Sequence, residues 1–304
     1  RSAFCGGDDS AEKRRTMGYR KILTALAGVV AVLIGGLAAP RPAAAATTLI
    51  YATFKGDGAA DQELWIYQST NGGTTYNVLH DTNFRGPTGV LRDPSIIKRG
   101  SAYYIAYTWQ SWTTNSTYFA VARSTDLLNW TNIATVPSGI SSTRFTWAPE
   151  FYIEGSTVSI IANVAQTTCS NCFRPYVYTA QNSDLTSWSA PQQMWGLGFN
   201  HIDAYVVKSG NTWHSFVKNE TTKYIEHWTS TDRLTGGWVN QGNLWSSGYE
   251  GPSLVRLDNG QYRIYVDKYT NGGLWTATSS DLNTWTGLSA VGCSGCRHGT
   301  AIPR

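Results

Sequence analysis

The sequence predicts an all-β protein, a five-bladed β-propeller closed by pairing of its N- and C-terminal segments. Three observations carry this. First, a strand–turn–strand unit recurs. It runs Ser95–Ile97, Lys98-Arg99-Gly100, Ala102–Tyr107, and returns after Ala148-Pro149-Glu150, Asp203 and Glu250-Gly251-Pro252. Short runs rich in Ile, Val, Tyr and Thr between Gly, Pro and Asn read as strands and turns. Second, Thr125-Asp126-Leu127-Leu128-Asn129-Trp130 recurs as Ser183–Trp188 and Ser280–Trp285, and with a longer turn as Thr231–Trp238. Third, the period is roughly 50 residues, which suits four-stranded propeller blades better than a β-sandwich.

Taken in order, residues 1–46 are expected to lie outside the fold. Met17 reads as a start. Arg20 and Lys21 then form a basic head, Ile22–Ala39 an apolar core and Ala44–Ala46 a small-residue cleavage site. That is the grammar of a secretory signal, the alternative being a retained anchor. Residues 47–304 are expected to be one catalytic propeller of about five units. Leu49–Leu79 has strand runs and a weak turn copy, Thr70–Tyr76, but no opening strand. His298–Arg304 is an opening strand with nothing after it. Joined, they make one blade and remove two exposed edges. In the turn motif, Asp or Asn can bond its own backbone and the aromatic can pack between sheets, so these residues read as structural.

Residues 1–46 carry seven Lys/Arg and three Asp/Glu, the whole of the +4 formal charge; the other 17 basic and 17 acidic side chains balance. A neutral domain gives no electrostatic reason to expect a nucleic-acid or membrane partner. All 13 Trp lie in this part, which suits stacking on sugar rings. Its four cysteines form two C-x-x-C pairs, Cys169/Cys172 and Cys293/Cys296. Zinc is one reading; export to an oxidising compartment favours two local disulfides.

In a propeller the innermost strands of all blades start at the same end of the channel. Asp93, Asp203, Glu250 and His298 should therefore converge at one mouth. Folding does not need acidic residues there, and a crowded cluster of carboxylates is a functional candidate before it is an ion-pair network. Two carboxyls across a scissile bond are the machinery of glycoside hydrolysis, one protonating the leaving oxygen and the other activating water or attacking.

The pieces Arg92-Asp93-Pro94, Trp147-Ala148-Pro149-Glu150, Ile202-Asp203, Glu250-Gly251-Pro252 and Arg297-His298-Gly299-Thr300 resemble, in order and spacing, glycoside hydrolase family 43. These are five-bladed propeller glycosidases acting on arabinan, xylan side chains and related polymers. The resemblance implies Asp93 as general base, Asp203 as positioner and pKa modulator of the acid, and Glu250 as general acid. It implies Trp147 as an aromatic wall of the sugar pocket, with Arg92 a candidate for substrate binding. It also implies His298 near the channel centre, beside a water network or an ion such as a structural Ca2+, with no cofactor required for the chemistry. Ala204 stands where many members have proline. His201, just before the Asp203 strand, and Trp109, closing a second strand, are further candidates for substrate contact; Lys218 and Lys268 are placed like Trp109. For Glu250 to act as acid, burial and the charge of Asp203 are expected to raise its pKa, leaving Asp93 the more solvated of the two.

The function expected is a secreted, monomeric, inverting hydrolase that releases terminal α-L-arabinofuranosyl units from arabinan, arabinoxylan or related polymers. β-Xylosidase, endo-arabinanase and galactofuranosidase are the alternatives within the family. A non-catalytic sugar-binding propeller would keep the aromatics but has no use for three carboxylates.

Overall fold

The computed structural model describes residues 46–304 except Ser170 and Asn171. The expected signal segment and its cleavage site therefore lie outside the described residues, apart from Ala46. The first stretch supplies β1 (Leu49–Thr53), β2 (Trp65–Ser69) and β3 (Asn77–Asp81). Next come β4 (Arg92–Arg99), β5 (Ala102–Thr108), β6 (Tyr118–Ser124) and β7 (Thr131–Pro137). The third set is β8 (Thr143–Glu154), β9 (Thr157–Gln166), β10 (Arg174–Thr179) and β11 (Gln192–Gln193). The fourth is β12 (His201–Ser209), β13 (Thr212–Asn219), β14 (Ile225–Ser230) and β15 (Val239–Leu244). The fifth is β16 (Glu250–Arg256), β17 (Tyr262–Asp267), β18 (Leu274–Ser279) and β19 (Ser289–Ala290). The last strand, β20 (Gly299–Pro303), pairs antiparallel with β1 from Leu49↔Pro303 to Thr53↔Gly299. This gives five four-stranded antiparallel sheets, and the blade built from both ends of the domain closes the propeller as expected.

The apolar alternation of each strand buries its side chains between neighbouring sheets. Ile97, Tyr104 and Phe119 meet Phe151, Ile160 and Tyr178 between the second and third blades. Tyr51, Tyr76 and Tyr265 cluster where the closing blade meets the fifth. The repeated turns are structural. Asp126 Oδ1 accepts the N–H groups of Leu128 and Asn129, and Asp281 Oδ1 those of Asn283 and Thr284. The following Trp130 tucks in and donates its Nε1–H to the Leu127 carbonyl. In the Ser183–Trp188 copy the anchor is instead Asn182, whose Oδ1 accepts from Thr186 and Ser187.

The inner strands share one irregularity. β4, β8, β12 and β16 each slip register against their partner strand, between Arg92 and Ser95, Trp147 and Glu150, Ile202 and Tyr205, and Glu250 and Ser253. Each slip contains one residue at positive φ: Asp93 (50°), Ala148 (43°), Asp203 (58°) and Gly251 (57°). A bulge re-aims the side chains around it, and non-glycine residues held at positive φ cluster at functional sites. Here the bulges sort the inner strands into levels. Arg92, Trp147, Ile202 and Glu250 stand before the bulge; Asp93, Ala148, Asp203 and Gly251 form it; Ser95, Glu150, Tyr205 and Ser253 lie deeper in the channel. At that deeper level side chains stitch adjacent inner strands together. Ser95 Oγ accepts the Phe151 N–H at 3.0 Å, Thr300 Oγ1 the Ile96 N–H at 2.7 Å, and Ser253 Oγ donates to the Gly299 carbonyl at 2.7 Å. Inner strands splay apart, and these bonds satisfy backbone groups that have no strand partner there.

Of the two cysteine pairs, Cys293 and Cys296 are bonded. Cys169 and Cys172 are not, contrary to expectation: Cys172 is buried with its thiol directed at the Cys169 carbonyl, while Cys169 is exposed.

Candidate active site

A cavity of about 460 Å³ opens at the channel mouth, and Asp93, Asp203, Glu250, Arg92, Trp147 and His298 all line it. The spacing argument therefore brings together what it should. It overstated the equivalence, because Asp93 and Asp203 occupy the bulge whereas Glu250 stands one residue before it. Asp203 is 4 % exposed, and its Oδ2 accepts the Gly251 N–H at 3.0 Å. Burial foremost, together with the charges of Glu250 and Asp93, pushes its pKa up to about 7 against the pull of His298 and Lys218. Glu250 is more open, with Lys218 Nζ 2.8 Å from one oxygen and Arg297 Nη2 3.4 Å from the other. Thus Asp203 is the buried carboxylate of the three, while Glu250 and Asp93 are both partly exposed. Asp93 presents Oδ1 to the cavity, 3.6 Å from His298 Nδ1.

Around these sits a polar frame. Lys218 is 3 % exposed; burial opposes its charge, but Glu250, Asp203 and Glu220 raise its pKa overall. Its ammonium lies 2.6 Å from Glu220 and 4.2 Å above the Tyr269 ring. Arg297 bridges Glu250 to the buried Asp267, 2.5 Å from Nε. Burial pushes Asp267 up to about 6 against Arg297, and its Oδ2 also accepts the His298 N–H at 3.2 Å. Arg92 pairs with Asp57 at 2.5 Å and packs its guanidinium over Phe54. Trp147 forms one wall, stacked on Phe173 with ring centroids 4.6 Å apart. Trp112, half exposed, stands at the rim.

Two expected contacts do not reach the cavity. His201 is buried behind it, its Nε2 2.8 Å from Glu226, because alternation along β12 turns Ile202 inward instead. Trp109 packs on Tyr118 and donates to Ser116 Oγ. Of the two lysines, Lys218 lines the cavity, whereas Lys268 lies over Tyr249 and Trp275. Sequence reasoning assigned no role to Glu150, Asp57, Asp267, Trp112, Tyr269 or Arg297. Asp267 was within reach of hairpin counting, since it pairs directly with Glu250 across β16 and β17.

The resemblance allowed an ion or a water network beside His298, and three carboxylates surround the ring there. Nε2 lies 3.2 Å from Glu150 Oε1, and Nδ1 faces Asp93 at 3.6 Å and Asp203 at 3.9 Å. Nε2 is hydrogen-bonded to Glu150, whereas Nδ1 stands beyond hydrogen-bonding distance of both aspartates. Burial opposes a charge on the ring, but Asp203, Glu150 and Asp93 outweigh it and raise its pKa to about 10. Among the described residues no group of three or more His, Cys, Asp or Glu is arranged to hold a metal.

A family model described as a probable glycosyl hydrolase domain, of the glycoside hydrolase family 43-related type, matches residues 45–303. No curated protein matches the chain. Among solved structures, an exo-β-1,3-galactanase from Clostridium thermocellum is 16% identical over 72% of this chain and 50% of its own, with a TM-score of 0.56. A GH43_1 enzyme from Xanthomonas citri, complexed with xylose, is 13% identical over 65% of this chain and 73% of its own, TM-score 0.54. A xylan β-1,4-xylosidase from Bacillus halodurans C-125 is 18% identical over 65% and 41%, TM-score 0.51. The chain thus spans half or less of the galactanase and this xylosidase. At these identities the likeness is one of fold.

Proposed function

The chain belongs to the glycoside hydrolase family 43 type of glycosyl hydrolase, and from that premise we propose a secreted inverting glycosidase that releases terminal α-L-arabinofuranosyl units from plant cell-wall polymers. The observation that carries the hydrolytic reading is the convergence of Asp93, Asp203 and Glu250 on one cavity. Glu250 gives a proton to the glycosidic oxygen as the bond to the anomeric carbon breaks. Asp93 takes a proton from the water that attacks the opposite face of the sugar, so the anomeric configuration inverts. Lys218 and Arg297 hold the two oxygens of Glu250 in its carboxylate form, the form to which it returns once the proton has been given, and it takes up a proton from solvent before the next turnover. Asp203, buried between base and acid, tunes both through its charge.

The cavity suits an uncharged sugar. Arg92 is paired with Asp57, Lys218 with Glu250 and Glu220, Lys223 with Glu220, and Arg297 with Asp267. Among the described lining residues no cation is left over for a uronate carboxylate. Trp147 and Trp112 offer aromatic faces to sugar C–H groups. The expected secretion signal supports an extracellular polymer as substrate.

The test is hydrolysis of aryl α-L-arabinofuranoside, β-xyloside and galactofuranoside, with linear arabinan alongside, followed by proton NMR. The reading expects arabinofuranoside to be preferred and the first product to be inverted. A retained product would overturn the assignment of Asp93 as base, and preference for another glycoside would replace the sugar.

A further inference from the structure

We propose that Glu150 is a positioning residue for the reaction: from the channel centre it holds the His298 ring so that Nδ1 is presented to Asp93 and Asp203. This rests on the roles given above to those two aspartates.

Glu150 is wholly buried on β8, at the level below the bulges. Burial raises its pKa, with His298 and Ser95 acting against that rise. A buried carboxyl is costly, and packing alone gives no reason to keep one. The equivalent residues are Ser95, Tyr205 and Ser253, and each stitches its strand to a neighbour. Glu150 instead reaches across the channel, with Oε1 3.2 Å from His298 Nε2, and its Oε2 has no protein partner among the described residues.

The ring has no other freedom. The Gly251 backbone lies flat against it, so close that a Cβ at Gly251 would stand 2.3 Å from His298 Cγ. Asp267 holds the His298 peptide N–H. With one face closed and the main chain tied, the remaining variable is which way the two nitrogens point and what they carry. A neutral imidazole has one N–H and could serve one side only. With Glu150 on Nε2 and two aspartates facing Nδ1, three carboxylates favour the doubly protonated ring, in which Nδ1–H stands toward the aspartates. The charged groups facing the ring are Asp93 from β4, Glu150 from β8 and Asp203 from β12, with Asp267 at its main chain and Glu250 one position before Gly251. Glu150, like Asp267, lies outside the cavity lining, but it alone of the two meets a ring nitrogen, so it acts through His298 rather than on the sugar.

The experiment compares wild type, E150Q and E150D by kinetics and by 15N NMR of the His298 ring. In wild type at about pH 8, where an ordinary histidine is neutral, both ring nitrogens should be protonated. In E150Q the ring should lose one proton at that pH, and kcat should fall by about 10- to 100-fold with KM within about twofold. E150D, a shorter acid, should restore the doubly protonated ring in part and kcat with it. A neutral His298 in wild type overturns the proposal without any variant, which covers failure of E150Q to fold. An E150Q enzyme with an unchanged ring and unchanged kcat also overturns it. If wild type cleaves no glycoside, the functional reading fails, while the NMR arm still decides whether Glu150 sets the state of His298.

Discussion

Asp126 and Asp203 are the same residue type at two places of the repeating unit, an outer turn of the second blade and the inner strand of the fourth, and the fold drives them in opposite directions. Asp126 lies in an exposed outer turn, where backbone and side-chain donors from Asn129 and Leu128 hold its pKa well below the usual carboxylate range. Asp203 sits in a bulge at the channel mouth, where burial and neighbouring acids raise its pKa to about 7. The outer aspartate meets only donors, and its charge organises a turn. The inner one meets other carboxylates together with the His298 ring, Lys218 and a single backbone N–H, and its charge acts on the groups of the cavity. Low numbers of charges overall make the contrast sharp, because nearly every acid at the channel mouth has an identifiable counter-charge.

The largest expected effect separates the two regions outright. Asp93→Ala should lower kcat by about 10⁴-fold or more on every substrate, since no other lining group stands ready to take the proton from water. Asp126→Ala should leave kcat within about twofold. Steady-state rates on one aryl glycoside check both; comparable losses in the two variants would erase the functional distinction between channel and turn.

Glu250→Ala should come next. With a poor leaving group kcat should fall by about 10²- to 10⁴-fold, whereas a nitrophenolate leaving group, which needs little protonation, should retain most of its rate. The ratio of the two losses is the measurement. An equal loss on both substrates would move the acid to another residue.

Asp203→Asn should have a subtler signature. The charge of Asp203 is among those that hold protons on His298 and Lys218. Removing it should shift the alkaline limb of the pH–rate profile to lower pH while KM changes little. An alkaline limb that stays in place would mean that Asp203 supports structure alone.

Much of this arrangement was legible in the sequence, and the limit is instructive. The blades, their closure and the outer turns follow from local patterns, namely alternating apolar residues, Gly and Pro punctuation, and the aromatic after each Asp. Asp93 and Glu250 could be found because they stand next to the proline and glycine that open their inner strands, and Asp203 because it opens its strand at the same point of the repeat although Ala204 follows it. The levels could not be assigned. A bulge adds a residue to one strand only, and counting along the chain does not show which of three adjacent positions enters the cavity. Ile202 enters where His201 was a candidate, and Glu150 drops below the mouth although it belongs to the quoted Trp147–Glu150 motif. Lys218 was a second-strand candidate and does line the cavity, but Trp109 and Lys268, placed alike in the sequence, do not, and the place of Asp267 is set by its pairing opposite Glu250. That is information about partners across the sheet, which a single strand does not carry.

The smallest effects concern stability, and they too differ between the regions. His298 has a folded pKa of about 10, above its unfolded value. The folded chain therefore binds an extra proton between roughly pH 6.5 and 10, and the stability this gives is complete below that window and lost as pH rises through it. Asp281, held low by the Thr284 and Asn283 N–H groups, acts in the other direction. Its contribution is present above the unfolded value near pH 4 and lost as pH falls toward 2. Melting curves should accordingly show wild type losing stability from about pH 7 to 10, and His298→Gln losing less across the same range. Asp281→Ala should melt a few degrees lower at neutral pH, keep the alkaline slope of wild type, and approach wild type again in acid. The two substitutions thus act at opposite ends of the pH scale. An Asp281→Ala protein with a flattened alkaline limb would show that turn and channel are not independent. Two variants with parallel profiles would remove the contrast between a charge that ties a turn and a charge held at the centre of the propeller.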